Sequence, residues 1–390
     1  MNNFEYLVPT KVVFGRDTQQ RVGELIRDEG GSTVLLHYGG ESARKSGLLD
    51  QIRNALKAEG LKTVELGGVI PNPVISKVYE GIKIAEAEGV DFILAVGGGS
   101  VIDSAKGIAM GAADLDRDVW DYYSDKSEPA KALPVGVVLT LAATGSETSK
   151  SSVISNDEGQ KRPVNHNIIR PKFAVMNPEL TFTLPPYQTA CGIVDIMSHA
   201  LERYMSKNPG GDVTGGMIEA LLRAVVKNGR ILMDDPENYD ARAEVMWAGS
   251  LAHSDILGVG RVPDWASHRI EHEITRYTGI AHGAGLAVIM PALMEYVVET
   301  DKGPLAQLAE EVWDVPAKPK SEVDTARKGI ARMKDFFSFL GMPTRLSEAG
   351  IDESLIPKIA GDVQRGASGE VGMYRILSRE DVLSILDLAK

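Results

Sequence analysis

The chain has 390 residues, 43% hydrophobic and 25% charged, and 42 basic against 54 acidic side chains leave a net charge of −12. This is an ordinary globular composition long enough for two or three domains, and the acidic balance disfavours nucleic acid and anionic membranes as partners. The single cysteine, Cys191, rules out an internal disulfide framework, the start MNNFEYLVPTKVVFG reads as no secretory signal, and no apolar run is long enough to span a bilayer, so a cytoplasmic protein is expected.

The first half alternates strands and helices. Thr10–Phe14 reads as a short strand, Thr18–Arg27 as a helix, and Ser32–Gly40 as an apolar strand closing on two glycines. Leu48–Glu59 is helical, TVELGGV extended, and Val74–Glu88 helical after a PNP turn. Then DFILAVGGGSVIDSAKGIAMGA reads as an apolar strand running through glycines into a helix, and Leu133–Leu141 as a further strand followed by the turn TGSE. Continuous apolar strands between helices predict a parallel sheet covered on both faces. From about Tyr187 the periodicity is almost wholly helical, as in Thr214–Met233, Asp240–Ala252, Gly283–Val298, Pro304–Trp313, Val323–Leu340 and Ser378–Leu388. Pro185 and Pro186 mark the break. The expected architecture is a Rossmann-like α/β domain over residues 1–185 and an all-α domain over residues 186–390.

In open parallel sheets, ligands bind beyond the carboxyl ends of the strands. Gly97, Gly98, Gly99 and Ser100 stand at such an end, where glycines admit a phosphate to the backbone and the following helix directs its N–H groups at it. The fingerprint G-x-G-x-x-G is only partly met, since Ile102 holds the third glycine position, and a tight structural turn explains the glycines as readily. Asp103, read as lying in the first helical turn, favours the helix N-terminus and is placed to bond a ribose hydroxyl. Thr140, Thr144, Gly145 and Ser146 make a second such turn, so a nucleotide laid across the sheet edge is expected. No Walker lysine follows, which argues against ATP hydrolysis.

The helical half carries a second kind of chemistry. Asp195 and His199 stand at i and i+4 in an apolar helical run, His268 and His272 repeat that spacing, and His282 follows. Residues at i and i+4 share one helix face, so two such helices gather oxygen and nitrogen donors around one divalent ion. A lone histidine is ordinarily a surface or core residue, and His37, His166 and His253 are read that way. Four of the seven histidines in two short segments, beside an aspartate inside an apolar helix, favour a metal site.

AVGGGSVIDSAK, TLAATGSE, the D-x-x-x-H of Asp195 and His199, and the H-x-x-x-H with its ten-residue step to His282 together resemble the iron-containing (group III) alcohol dehydrogenases, nearest their NADPH-dependent butanol dehydrogenase and aldehyde reductase branch. The resemblance extends over the whole chain and implies a dehydroquinate synthase-like architecture with the active site between the domains. It implies that Asp195, His199, His268 and His282 hold the metal, Fe(II) ahead of Zn(II), and that His272 stands beside it. His272 is then either a proton relay or a hydrogen-bonding support for a ligand. It further implies that Gly97, Gly98, Gly99, Ser100, Asp103, Thr140, Thr144 and Ser146 line the dinucleotide, with Lys161 nearby, and that the protein is a homodimer. Gly39, Gly40 and Ser42 match the pattern of NADP(H)-binding relatives, with Arg44 and Lys45 as cations for the 2′-phosphate, while Glu41 opposes it and leaves NAD(H) open. The implied reaction interconverts primary alcohols and aldehydes by hydride transfer. The alternatives are a polyol dehydrogenase, a dehydroquinate-synthase-like lyase, a metal-dependent hydrolase, or an assembly subunit with a degenerate site.

Overall fold

The computed structural model describes residues 1–207, 211–300, 302–316, 321–363 and 371–390. The glycine-rich stretch 207–216 and the charged stretch 316–320, which the sequence reads as loops, therefore lie partly outside the described residues. The chain forms two compact units, one of residues 7–183 and one of residues 1–6 with 184–390.

In the first unit, strands β1 (Lys11–Phe14), β2 (Thr33–Tyr38), β3 (Lys62–Leu66), β4 (Phe92–Gly97), β5 (Val135–Leu139) and β8 (Phe173–Met176) form one sheet in the order β1-β8-β5-β4-β2-β3. Every pairing within it is parallel. The intervening helices are α1 (Val22–Asp28), α2 (Ser42–Lys45), α3 (Leu48–Ala58), α4 (Ile75–Glu88), α5 (Gly99–Ala113) and α6 (Trp120–Tyr123). Phe92–Val96 are fully buried, as an apolar run between two helical layers requires. Register brings Tyr38 level with Val96, and Gly97 level with Leu139, so the turns after β2, β4 and β5 leave the sheet side by side. Two features were not anticipated: β8 as a sheet strand, and the antiparallel hairpin of β6 (Ser151–Ser155) and β7 (Lys161–Asn165).

The second unit contains α7 (Pro186–Tyr204), α8 (Asp212–Asp234), α9 (Tyr239–His253), α10 (Ala266–Thr278), α11 (His282–Val297), α12 (Lys302–Trp313), α13 (Glu322–Phe339), α14 (Ile356–Asp362) and α15 (Arg379–Leu388). α7 starts at Pro186, where a missing N–H costs nothing, and is buried from Thr189 to Tyr204. Gly279, at φ 70°, ends α10 and lets the chain turn into α11. The first six residues, expected in the α/β domain, belong with this unit: Asn2 N–H donates to the Gly260 carbonyl at 3.0 Å. Among the described residues no helix is long and apolar enough to cross a membrane.

Candidate functional site

α7 delivers Asp195 and His199 from one face, α10 delivers His268, and α11 begins at His282. Asp195 Oδ1 lies 3.5 Å from His199 Nδ1, 3.9 Å from His268 Nε2 and 3.6 Å from His282 Nε2. These separations are too long for hydrogen bonds, and Asp195 Oδ1, His199 Nδ1 and His268 Nε2 are buried with no hydrogen-bond partner. Four donors bound tetrahedrally at about 2.1 Å from one ion stand about 3.4 Å apart, close to the three separations from Asp195; donor atoms of Asp195, His268 and His282 all lie within 4.8 Å of one another, and His199 joins them through its 3.5 Å approach to Asp195. Unpaired buried polar atoms are costly, and a shared divalent ion satisfies all of them together, so these residues fit the metal that the spacing anticipates.

The donors are held from behind. The His268 Nδ1 meets a carboxylate oxygen of Glu202 at 3.1 Å, and His282 Nδ1 hydrogen-bonds to Glu271, both carboxylates being fully buried. The His199 ring lies between His253, with centroids 4.3 Å apart, and His268, at 4.7 Å. Trp265 meets His199 and His268 edge-on while the Arg203 guanidinium covers its face at 4.9 Å. Burial, reinforced by His253 and His268, holds His199 well below the usual imidazole range, so its lone pair stays available. Burial also pulls His268 down, but the Asp195 and Glu202 carboxylates outweigh it and raise it to about 9. His272 is half-buried, its ring 5.8 Å from that of His282, and it groups with Glu271 and His282 as a second set of close donors. Sequence reading passed over Glu202 and Glu271, pointed to Trp265 only as a pocket residue, and took His253, whose ring stacks on His199, for an ordinary histidine. The signal for the two glutamates was present, since each follows a histidine of this cluster by three residues on the same helix.

In the α/β unit the glycine triplet is enforced by packing. A Cβ on Gly97 would lie 2.5 Å from Val101 Cγ2, on Gly98 3.2 Å from Leu141 Cβ, and on Gly99 2.5 Å from both Thr144 Cγ2 and Thr144 Oγ1. The first turn of α5 therefore sits directly against the Thr144 turn, with its leading N–H groups at the carboxyl edge of the sheet. Thr140 N–H donates to the Gly97 carbonyl at 3.1 Å, which joins the two turns. Asp103 lies one turn deeper than expected, because α5 already starts at Gly99. Its carboxylate accepts from the Ser146 hydroxyl at 2.6 Å and from Val153 N–H at 3.0 Å, so these contacts occupy groups that the resemblance assigns to the dinucleotide.

Lys106, overlooked in the sequence, anchors this turn. Its buried ammonium donates to Ser146 O, Ser146 Oγ, Ser149 O and Ser151 O at 2.7–3.0 Å. Burial lowers Lys106 to about 8. Thr144 Oγ1 accepts from Ser146 N–H, and Lys161 begins β7 opposite Ser155. Beyond β2 the backbone is open: a Cβ on Gly40 would meet nothing within 4 Å, and on Gly39 nothing nearer than 3.5 Å. Ser42 starts α2, on which exposed Arg44 pairs with Glu41 at 3.7 Å and reaches the Tyr38 hydroxyl at 3.4 Å.

Comparison with known proteins gives this geometry a family. Residues 9–178 match the iron-containing alcohol dehydrogenase family, and residues 189–389 match the C-terminal part of the Fe-containing alcohol dehydrogenase family. NADH-dependent butanol dehydrogenase A of Clostridium acetobutylicum is 42% identical over 387 residues, 99% of each chain. NADPH-dependent aldehyde reductase YqhD of Escherichia coli is 38% identical over 376 residues, 95% of each chain. The crystal structure of NADH-dependent butanol dehydrogenase A from Thermotoga maritima superposes with a TM-score of 0.96 at 39% identity, covering 100% of this chain and 99% of the other. The chain belongs to the iron-containing alcohol dehydrogenase family, in its butanol dehydrogenase and aldehyde reductase branch, and is an NAD(P)H-linked alcohol dehydrogenase.

Proposed function

We propose that Asp195, His199, His268 and His282 hold one divalent ion, Fe(II) ahead of Zn(II), and that the protein uses it to interconvert primary alcohols and aldehydes. The observation that carries this reading is the convergence of unpartnered buried donors on Asp195 Oδ1 at 3.5–3.9 Å. When bound, the ion contributes Lewis-acid stabilisation of charge on the carbonyl oxygen, and the dinucleotide contributes the hydride. The protein's own work is positional. The turns at Gly97–Ser100 and Thr140–Ser146 orient the dinucleotide phosphates, and Lys161 adds a cation beside them. His272 passes the proton that the product hydroxyl requires from a ring nitrogen to the oxygen, and takes it back in alcohol oxidation.

NADP(H) is placed ahead of NAD(H). Gly39 and Gly40 leave room for a 2′-phosphate, and the exposed Glu41–Arg44 pair, worth at most about 1 kcal/mol, releases Arg44 at little cost. Relatives of both kinds exist, so the ratio of kcat/KM for NADPH and NADH decides the matter, read at 340 nm with butanal. A Glu41→Gly variant is expected to raise the NADPH value; a wild-type preference of tenfold for NADH would overturn the assignment. A cytoplasmic homodimer is likewise proposed, and a monomeric mass by light scattering would refute the dimer.

A further inference from the structure

We infer that Glu202 and Glu271 are a matched pair of positioning residues that set the ring orientation and tautomer of His268 and His282, and so determine how tightly the ion is held. The inference rests on the ligand assignment proposed above and adds two residues to it. Each carboxylate is fully buried, and each takes the Nδ1 side of a histidine whose Nε2 faces Asp195 Oδ1 at 3.6–3.9 Å. An acceptor at Nδ1 fixes the proton there and leaves the Nε2 lone pair for the ion. The two arrangements arise from different elements. Glu202 projects from α7 across to His268 on α10, whereas Glu271 projects from α10 to His282 at the start of α11.

The carboxylates are themselves fixed. Glu202 accepts from Trp265 N–H at 2.6 Å, from His268 N–H at 3.3 Å and from the Ser267 hydroxyl. Trp265 holds φ 65°, a conformation strained for a bulky residue, and the hydrogen bond from its main-chain N–H to Glu202 helps offset that strain. Glu271 accepts from the Thr275 hydroxyl and lies against Gly285, where a Cβ would come 2.8 Å from its Cγ and 3.0 Å from its Oε1. Gly285 thus provides the space that Glu271 occupies.

The test measures Zn(II) affinity by competition with a chromophoric chelator, together with Zn(II) content per chain and Tm with and without the ion, for wild type, Glu271→Gln, Glu202→Gln, Gly285→Ala and Asp195→Ala. The expected result is a ~10–100-fold loss of affinity in each Gln variant and in Gly285→Ala, with the Tm of the metal-free Gln variants not lowered and only the metal-induced rise reduced. A glutamate that merely supports the fold would lower Tm equally in both states, which would overturn the inference. Affinities within twofold of wild type would also overturn it. Two Zn(II) per chain, the second lost in Glu271→Gln, would show that Glu271, His272 and His282 bind an ion of their own and would refute the positioning role. If Asp195→Ala retains full affinity, the ligand assignment fails instead, which separates the two outcomes.

Discussion

Replacing Lys106 by Met removes a buried cation from the centre of the Thr144–Ser151 turn. The side chain has no solvent exposure, and its ammonium is the donor for three main-chain carbonyls and one hydroxyl. Three buried main-chain carbonyls deprived of their donor cost about 1–3 kcal/mol each, and the variant recovers part of this because it no longer buries a charge, so the net loss is about 3–5 kcal/mol. With a urea slope of about 2 kcal/mol/M, the unfolding midpoint should fall by roughly 2 M. The turn also carries Thr144 and Ser146, so NADPH affinity, read by its fluorescence, should weaken at least about tenfold. Lys106→Arg should not rescue, because the larger guanidinium has no room in a fully buried site. A midpoint within about 0.5 M of wild type and an unchanged NADPH affinity would show that these contacts do not hold the turn.

Gly99→Ala places a Cβ 2.5 Å from two Thr144 atoms and 3.0 Å from Thr144 Cβ, a clash that side-chain rotation cannot clear, so NADPH affinity should fall about tenfold or more while Zn(II) affinity is unchanged. Equal NADPH affinity would contradict the tight packing of the two turns. His37 is buried neutral, with its ring nitrogens on the Leu66 carbonyl and Ser104 Oγ, and burial pushes it down to about 4. The unfolded chain therefore takes up this proton first as pH falls from 6.5 to 4, and folding stability declines over that window by about 3 kcal/mol. Stability curves of His37→Gln should lack that share, and curves parallel to wild type would refute it. Stripping the metal with a chelator should lower Tm, and Zn(II) at 100 times its Kd should restore about 2.7 kcal/mol, a gain that Asp195→Asn abolishes. Equal responses in both proteins would remove Asp195 from the site.

The features legible from sequence were those whose periodicity has one structural meaning. A five-residue apolar run such as Phe92–Val96 that ends in glycines is too short for a helix and reads as a buried strand, and Asp195 with His199 share a face once α7 is continuous. The hairpin of β6 and β7 was missed because SSVIS and KRPVN are short, polar and interrupted by Pro163. Glu202 and Glu271 shared a helix face with His199 and His268, but nothing in the sequence shows that these positions of α7 and α10, or that of Lys106 on α5, are buried. Asp103 was misplaced by one turn because the helix takes in Gly99, and nothing local signals that a Thr144 methyl group fills the place of its Cβ.

The account stands most directly on one assay: anaerobic reduction of butanal, followed as NADPH or NADH absorbance at 340 nm, in metal-free protein titrated with Fe(II) or Zn(II). Turnover should rise with added ion and saturate at one per chain, and Asp195→Asn and His268→Ala should remain inactive at every ion concentration. Full turnover in the metal-free protein, or in either variant, would contradict the claim that the cluster around Asp195 is where the chemistry occurs.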